Sequence, residues 1–101
     1  MKIYICDDSK MDLLRLRHYL EKYAQSEKID IEVEDFLAAA DMLSAHAKAK
    51  EKPVLIFLDI YMNRMDGMEA ANKLRSMGVN TSIVFTTSSK EHAMDAFQVY
   101  A

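Results

Sequence analysis

The chain has 101 residues, half of them apolar and 29% charged, with a net charge of −3 from 13 basic and 16 acidic side chains. That suffices for one compact domain with one core, is too apolar for a disordered segment, and leaves no basic footprint for nucleic acid. Only Gly67 and Gly78 are glycines, which excludes a GxGxxG turn or a P-loop.

The lone Cys6 cannot form an internal disulfide and suits a reducing, cytoplasmic compartment. No apolar run is long enough for a signal peptide or a membrane span, so no membrane partner is expected. The histidines His18, His46 and His92 lack metal-ligand spacing and read as solvated or half-buried helix residues.

Lys2–Cys6 reads as a strand, stopped by Asp7 and Asp8. Leu13, Leu16, Leu20 and Tyr23 then recur at helical spacing behind a Ser9-x-x-Asp12 capping box. Ile29, Ile31 and Val33 alternate with Asp30, Glu32 and Glu34, as in a strand with one wet face, and the acidic residues suit a sheet edge. Leu37 to Lys50 is Ala-rich and helical, with Ala40, Leu43 and Ala47 as the expected inner stripe. Pro53 closes it, and the unbroken apolar run Val54 to Leu58 predicts a strand buried on both faces, ended by Asp59. Asp66-Gly67-Met68-Glu69 opens the next helix, Asp66 capping and Glu69 reaching back, with Met68, Ala71 and Leu74 inward and Gly78 as its stop. Ile83-Val84-Phe85 is the fourth strand, ending at Thr86-Thr87. A last helix is predicted from Ser89 to Ala101, with Ala93, Ala96 and Phe97 on one face.

Strand and helix alternate, which predicts an α/β fold: a doubly wound parallel sheet covered on both faces. With the acidic second strand at the edge the order is 2-1-3-4, and the first and third strands meet at the switch point. Ligands gather there, beyond the carboxyl ends of the strands. Asp7, Asp8 and Asp59 would converge at that place, with Thr87 one strand further along. Three close carboxylates repel, and a hard divalent cation such as magnesium removes the conflict. Magnesium bridges readily to phosphate, and a carboxylate beside it can attack phosphorus to form an acyl phosphate. A hydroxyl such as that of Thr87 can donate to the transferred group. Taken singly, these residues are ordinary caps and strand ends; their joint address carries the chemical reading.

Asp7-Asp8, the run Leu58-Asp59-Ile60-Tyr61-Met62-Asn63-Arg64-Met65-Asp66-Gly67, and Phe85-Thr86-Thr87-Ser88 resemble response-regulator receiver domains. The resemblance runs the whole chain and implies the CheY-like, flavodoxin-like three-layer sandwich. Ile5-Cys6-Asp7-Asp8 and Glu91-x-Ala93-x-x-Ala96-Phe97-x-Val99 are similar to receivers fused to LytTR-type DNA-binding domains. The resemblance implies that Asp59 accepts a phosphoryl group from a sensor histidine kinase. Asp8 and Asp59 would hold Mg2+ directly, Asp7 through water and Tyr61 through its backbone carbonyl. Thr87 would be the switch hydroxyl, and Ser88 stands where the family prefers a small residue. It further implies no enzyme beyond self-catalysed phosphoryl transfer and autodephosphorylation, and DNA contact only through an output domain outside this chain.

Two departures stand out. Asn63 takes the place of a proline often found after the loop methionine, a minor change. The chain also ends at Ala101, before the family's fifth strand and helix, which carry its active-site lysine and aromatic switch residue. Lys90 lies nearby but on the wrong motif. Residues 1–101 therefore read as one receiver domain with the fifth βα unit absent.

Two other functions compete. A haloacid-dehalogenase-type phosphatase would want a second acid two positions after Asp59, where this chain has Tyr61. A silent dimerisation module would not need Asp7, Asp8, Asp59 and Thr87 intact. Without a fifth strand, Ile83-Val84-Phe85 would be an unguarded apolar edge. A homodimer, or a segment-swapped dimer exchanging Lys90–Ala101, is the expected relief.

Overall fold

A computed structural model of the chain describes residues 1–87 and 97–99. Its elements are β1 (Lys2–Cys6), α1 (Lys10–Glu27), β2 (Glu32–Phe36), α2 (Ala39–Lys48), β3 (Leu55–Asp59), α3 (Gly67–Ser76), β4 (Ser82–Thr86) and β5 (Phe97–Val99). The first four strands form a parallel sheet in the order β2-β1-β3-β4, the arrangement predicted. The chain steps outward from β1 to β2 and then returns past β1 to β3 and β4. Right-handed crossovers put the helices of those two directions on opposite faces. Leu13 of α1 accordingly packs on Ile3 and Ile5, while Met42 of α2 and Leu74 of α3 pack on Tyr4, Ile56 and Ile83.

Local chemistry sets the helix ends. Ser9 caps α1, its hydroxyl accepting from the Asp12 amide at 3.2 Å. Asp66 and Glu69 form the reciprocal capping box expected at α3. At the far end of α3 the Val79 amide donates to Leu74 and the Gly78 amide to Arg75, both at 3.0 Å. Gly78 makes this turn at φ 81°, where a side chain is strained, and the helix stops as predicted.

Several expected faces are shifted. The inner stripe of α2 is Ala39, Met42 and His46, whereas Ala40 and Ala47 are exposed and only Leu43 of the predicted set reaches the core. His46 is therefore buried, not solvated, and its ring lies edge-on to Tyr4. Tyr23 is exposed and Ala24 takes its inward place on α1. Met68 points out while Ala70 and Ala71 point in. Val54 is exposed and precedes β3, and β2 begins at Glu32, past most of the alternating run.

The largest correction concerns the far edge. Phe97–Val99, read as part of a helix, is a strand antiparallel to β4, pairing Phe85 with Phe97 and Ile83 with Val99. The sheet is therefore five-stranded, β2-β1-β3-β4-β5, and β4 is an inner strand with its backbone groups engaged. The unguarded edge that motivated a homodimer or segment-swapped dimer is filled from the same chain. The predicted helix from Ser89 to Ala96 lies outside the described residues.

Candidate metal and phosphoryl site

The carboxyl ends of β1, β3 and β4 lie level. Cys6 pairs with Leu58, so Asp7 follows β1 beside Asp59, the last residue of β3. Asp59 pairs with Thr86, so Thr87 leaves β4 at the same end. The ladders extend just past the strands, with the Asp7 amide donating to Phe36 at 3.0 Å and the Ile60 amide to Thr86 at 2.9 Å. This parallel register, not any local motif, brings the residues together. One carboxylate oxygen each from Asp7, Asp8 and Asp59 falls within a 4.8 Å cluster. Asp59 is fully buried, Asp7 nearly so, and Asp8 faces solvent. Thr87 is half-buried.

The electrostatics are those of a crowded anionic pocket. Burial, reinforced by the charges of Asp59, Asp12 and Asp8, pushes the Asp7 carboxyl up to about 7, against the pull of a 2.9 Å hydrogen bond from the Ser9 amide. Burial, then the charges of Asp7, Asp59, Asp41 and Asp8, push the neighbouring Cys6 thiol up to about 12. A bound cation would reverse this penalty for Asp7. An all-oxygen donor set with one ligand open to water suits magnesium, which keeps part of its hydration shell. These residues fit that ion.

The loop after β3 completes the wall. The Tyr61 amide reaches Asp59 Oδ1 at 3.4 Å, and the Asn63 amide donates to Asp8 Oδ2 at 3.2 Å. A proline at position 63 would have no such donor, so the Asn63 departure has a direct consequence at the site. Gly67 is the other residue whose role is visible only in three dimensions. A Cβ there would stand 2.3 Å from the Asp59 carbonyl oxygen, and the Gly67 amide donates to Ile60 at 2.9 Å. Backbone donors and close approaches carry no side-chain signature, which is why sequence reasoning singled out the carboxylates, took Asn63 as a minor change and read Gly67 only as part of a helix start.

Fold and cluster together define an α/β module with three carboxylates gathered at a sheet switch point. A family model for the response regulator receiver domain matches residues 3–101, and the chain belongs to that family. It is 33% identical over 103 residues to a sensory transduction protein LytT of Bacillus anthracis, covering all of this chain and 39% of that one. The chain thus spans well under half the length of that curated relative. Among solved structures, the MaeR response regulator bound to beryllium trifluoride superposes with a TM-score of 0.74 at 23% identity, over 89% of this chain and 69% of that one. The response regulator TrrA of Thermotoga maritima, solved in complex with magnesium and beryllium fluoride, gives 0.66 at 22% identity, over 93% and 75%. These two likenesses show the fold. The chain is a receiver domain of the response-regulator type, and a phosphoacceptor role fits it better than a phosphatase or a silent module.

Proposed function

We propose that residues 1–101 form one receiver domain that takes a phosphoryl group on Asp59 from a sensor histidine kinase, with Mg2+ held by Asp7, Asp8, Asp59 and the Tyr61 backbone carbonyl. The observation that carries the reading is the convergence of the three carboxylates at the β1/β3 switch point. The magnesium and beryllium fluoride on the Thermotoga maritima relative support it by analogy. In the transfer, an Asp59 oxygen attacks phosphorus, the bond to the donor imidazole nitrogen breaks, and an acyl phosphate forms. Asp7 and Asp8 position the cation, Thr87 donates its hydroxyl to the incoming group, and the buried setting of Asp59 limits access of water. When bound, magnesium neutralises charge on the transferred group. Hydrolysis of the acyl phosphate on the same residues resets the switch, and no other enzyme activity is proposed.

The working compartment is the cytoplasm, consistent with the free, buried Cys6 and with the absence, among the described residues, of any helix long and apolar enough to cross a membrane. DNA contact is proposed only through an output domain outside residues 1–101, as the resemblance to receivers fused to LytTR-type domains implies. A dimer through the β4 edge is not part of the proposal, because β5 occupies that edge.

The test is phosphorylation by a small-molecule phosphodonor with magnesium, read by intact mass. The parent chain should gain one phosphoryl group, and Asp59→Asn, of equal volume but unable to form an acyl phosphate, should gain none. Labelling of Asp59→Asn at the parent rate overturns the assignment.

A further inference from the structure

Two amides of the loop after β3 touch the carboxylate cluster, those of Tyr61 and Asn63, and the residue between them is Met62. Its side chain is half-buried and packs against the core shared by α2, α3 and the sheet. Its Sδ lies 3.8 Å from Sγ of Cys6, which donates a weak hydrogen bond to it. Cys6 is the last residue of β1, is fully buried, and immediately precedes Asp7. One sulfur–sulfur contact therefore ties the loop that carries both amides to the strand that carries the other two carboxylates.

We propose that Met62 is a positioning residue and a redox-sensitive modification site, whose conversion to the sulfoxide frees the loop from β1 and disarms the carboxylate cluster. Its functional consequence rests on the receiver reading above. The oxidant is hydrogen peroxide. A lone pair on Sδ attacks one peroxide oxygen, an S–O bond forms as the O–O bond breaks, and the departing hydroxide takes the proton from the oxygen now on sulfur, leaving as water. Sulfur loses two electrons and peroxide gains them. The product carries a polar oxygen where the thioether met an apolar core, and the neighbouring Cys6 thiol is too weak a donor to offset desolvating that oxygen there. Cys6 does not compete, because it is fully buried at the end of β1, out of reach of peroxide, whereas Met62 is half-buried. Met11, Met68 and Met77 are exposed, so their oxidation leaves the loop in place.

The test uses the full chain and three proteins: the parent, Met62→Leu, which keeps volume and apolarity without an oxidisable sulfur, and Met68→Leu as an exposed control. Each is titrated with magnesium before and after peroxide, with the oxidised residue located by peptide mass and the Ser9, Tyr61 and Asn63 amides followed by NMR. Before oxidation the parent and Met68→Leu should bind magnesium alike, and Met62→Leu, which keeps the apolar packing but loses the contact to Cys6, no more tightly than they do. After it, the parent and Met68→Leu should bind about tenfold more weakly, the scale of losing support behind a metal ligand, while Met62→Leu is unchanged. Methionine sulfoxide reductase should restore the parent. Met62 sulfoxide with full magnesium affinity and unmoved Tyr61 and Asn63 amides overturns the proposal, and so does an equal loss in Met62→Leu. If no unoxidised protein binds magnesium, the receiver reading fails instead, and amide shifts at Tyr61 and Asn63 on oxidation, absent in Met62→Leu, still decide the positioning role.

Discussion

On the sheet face covered by α2 and α3, eleven side chains form one buried cluster, from Tyr4 and Cys6 to Leu74 and Phe85. On the face under α1, among the described residues only Ile3, Ile5 and Leu13 form a buried cluster, and Leu16, Leu20, Val33, Leu55 and Phe57 are half-covered around them. A hollow of about 270 Å³, lined by Ile3, Leu20, Ile31, Val54, Leu55 and Phe57 among others, opens on that second face. Among the described residues, α1 is the only helix there. The difference shows where precision is needed. The loop and helix that shape the carboxylate site, through Met62 and Gly67, are fastened to the sealed face, so the site inherits its rigidity.

The largest predicted effect tests that fastening. Gly67→Ala must push α3 away from the Asp59 carbonyl, since backbone cannot yield as a flexible side chain does. It should cost roughly 3 kcal/mol or more, at the upper end of overpacking, and abolish magnesium binding; denaturant unfolding and a magnesium titration read both. Next, Leu74→Ala in the sealed face should cost about 2–5 kcal/mol, the range for a fully buried leucine. The larger Phe57→Ala truncation, beside the hollow, should cost less, roughly 1–2 kcal/mol, because the site is already part-solvated and phenylalanine values near the top of the range need full burial. Equal costs at Leu74 and Phe57, in denaturation midpoints at constant slope, would break the contrast between faces.

The smallest effect is a pH dependence on the sealed face. Burial first, then the Lys52 ammonium, lowers the His46 pKa below its ordinary 6.5. The unfolded chain then binds more protons at this residue than the folded one as pH falls through 6.5. Stability from a neutral His46 is complete above that pH and declines below it, until the folded imidazole is itself protonated. In unfolding curves between pH 7.5 and about 5, His46→Gln should show a flatter loss than the parent. Identical slopes would mean that His46 does not titrate differently in the two states.

Much of this was legible in the chain. β1, β3 and β4 announce themselves as apolar runs cut off by Asp7, Asp59 and Thr87, and parallel order follows from the alternation with helices. Register in a parallel sheet then obliges the strand ends to meet, so the acidic cluster was readable from addresses alone. The face of α2 was not, because an Ala-rich helix carries small side chains all round and Met42 and His46 decide its rotation. Nor was β5. Ala93, Ala96 and Phe97 have helical spacing, but Phe97–Val99 meets the open backbone of β4, and pairing there outweighs local preference. Asn63 and Gly67 act through backbone and through the absence of a side chain, neither of which a residue pattern displays.

β1 is flanked by β2 on one side and β3 on the other, yet among the described strands it comes first in the chain. As the chain leaves the ribosome, β1, α1 and β2 can close as a unit while the other edge of β1 waits. Docking of β3 on that edge is the event that brings Asp59 against Asp7 and Asp8, so mutual repulsion of the three carboxylates opposes this late step and not the earlier one. A divalent cation held as proposed above would bind only the assembled cluster and would therefore draw the folding chain toward completion. On that reading the three carboxylates would make maturation of the domain sensitive to the ionic content of its surroundings.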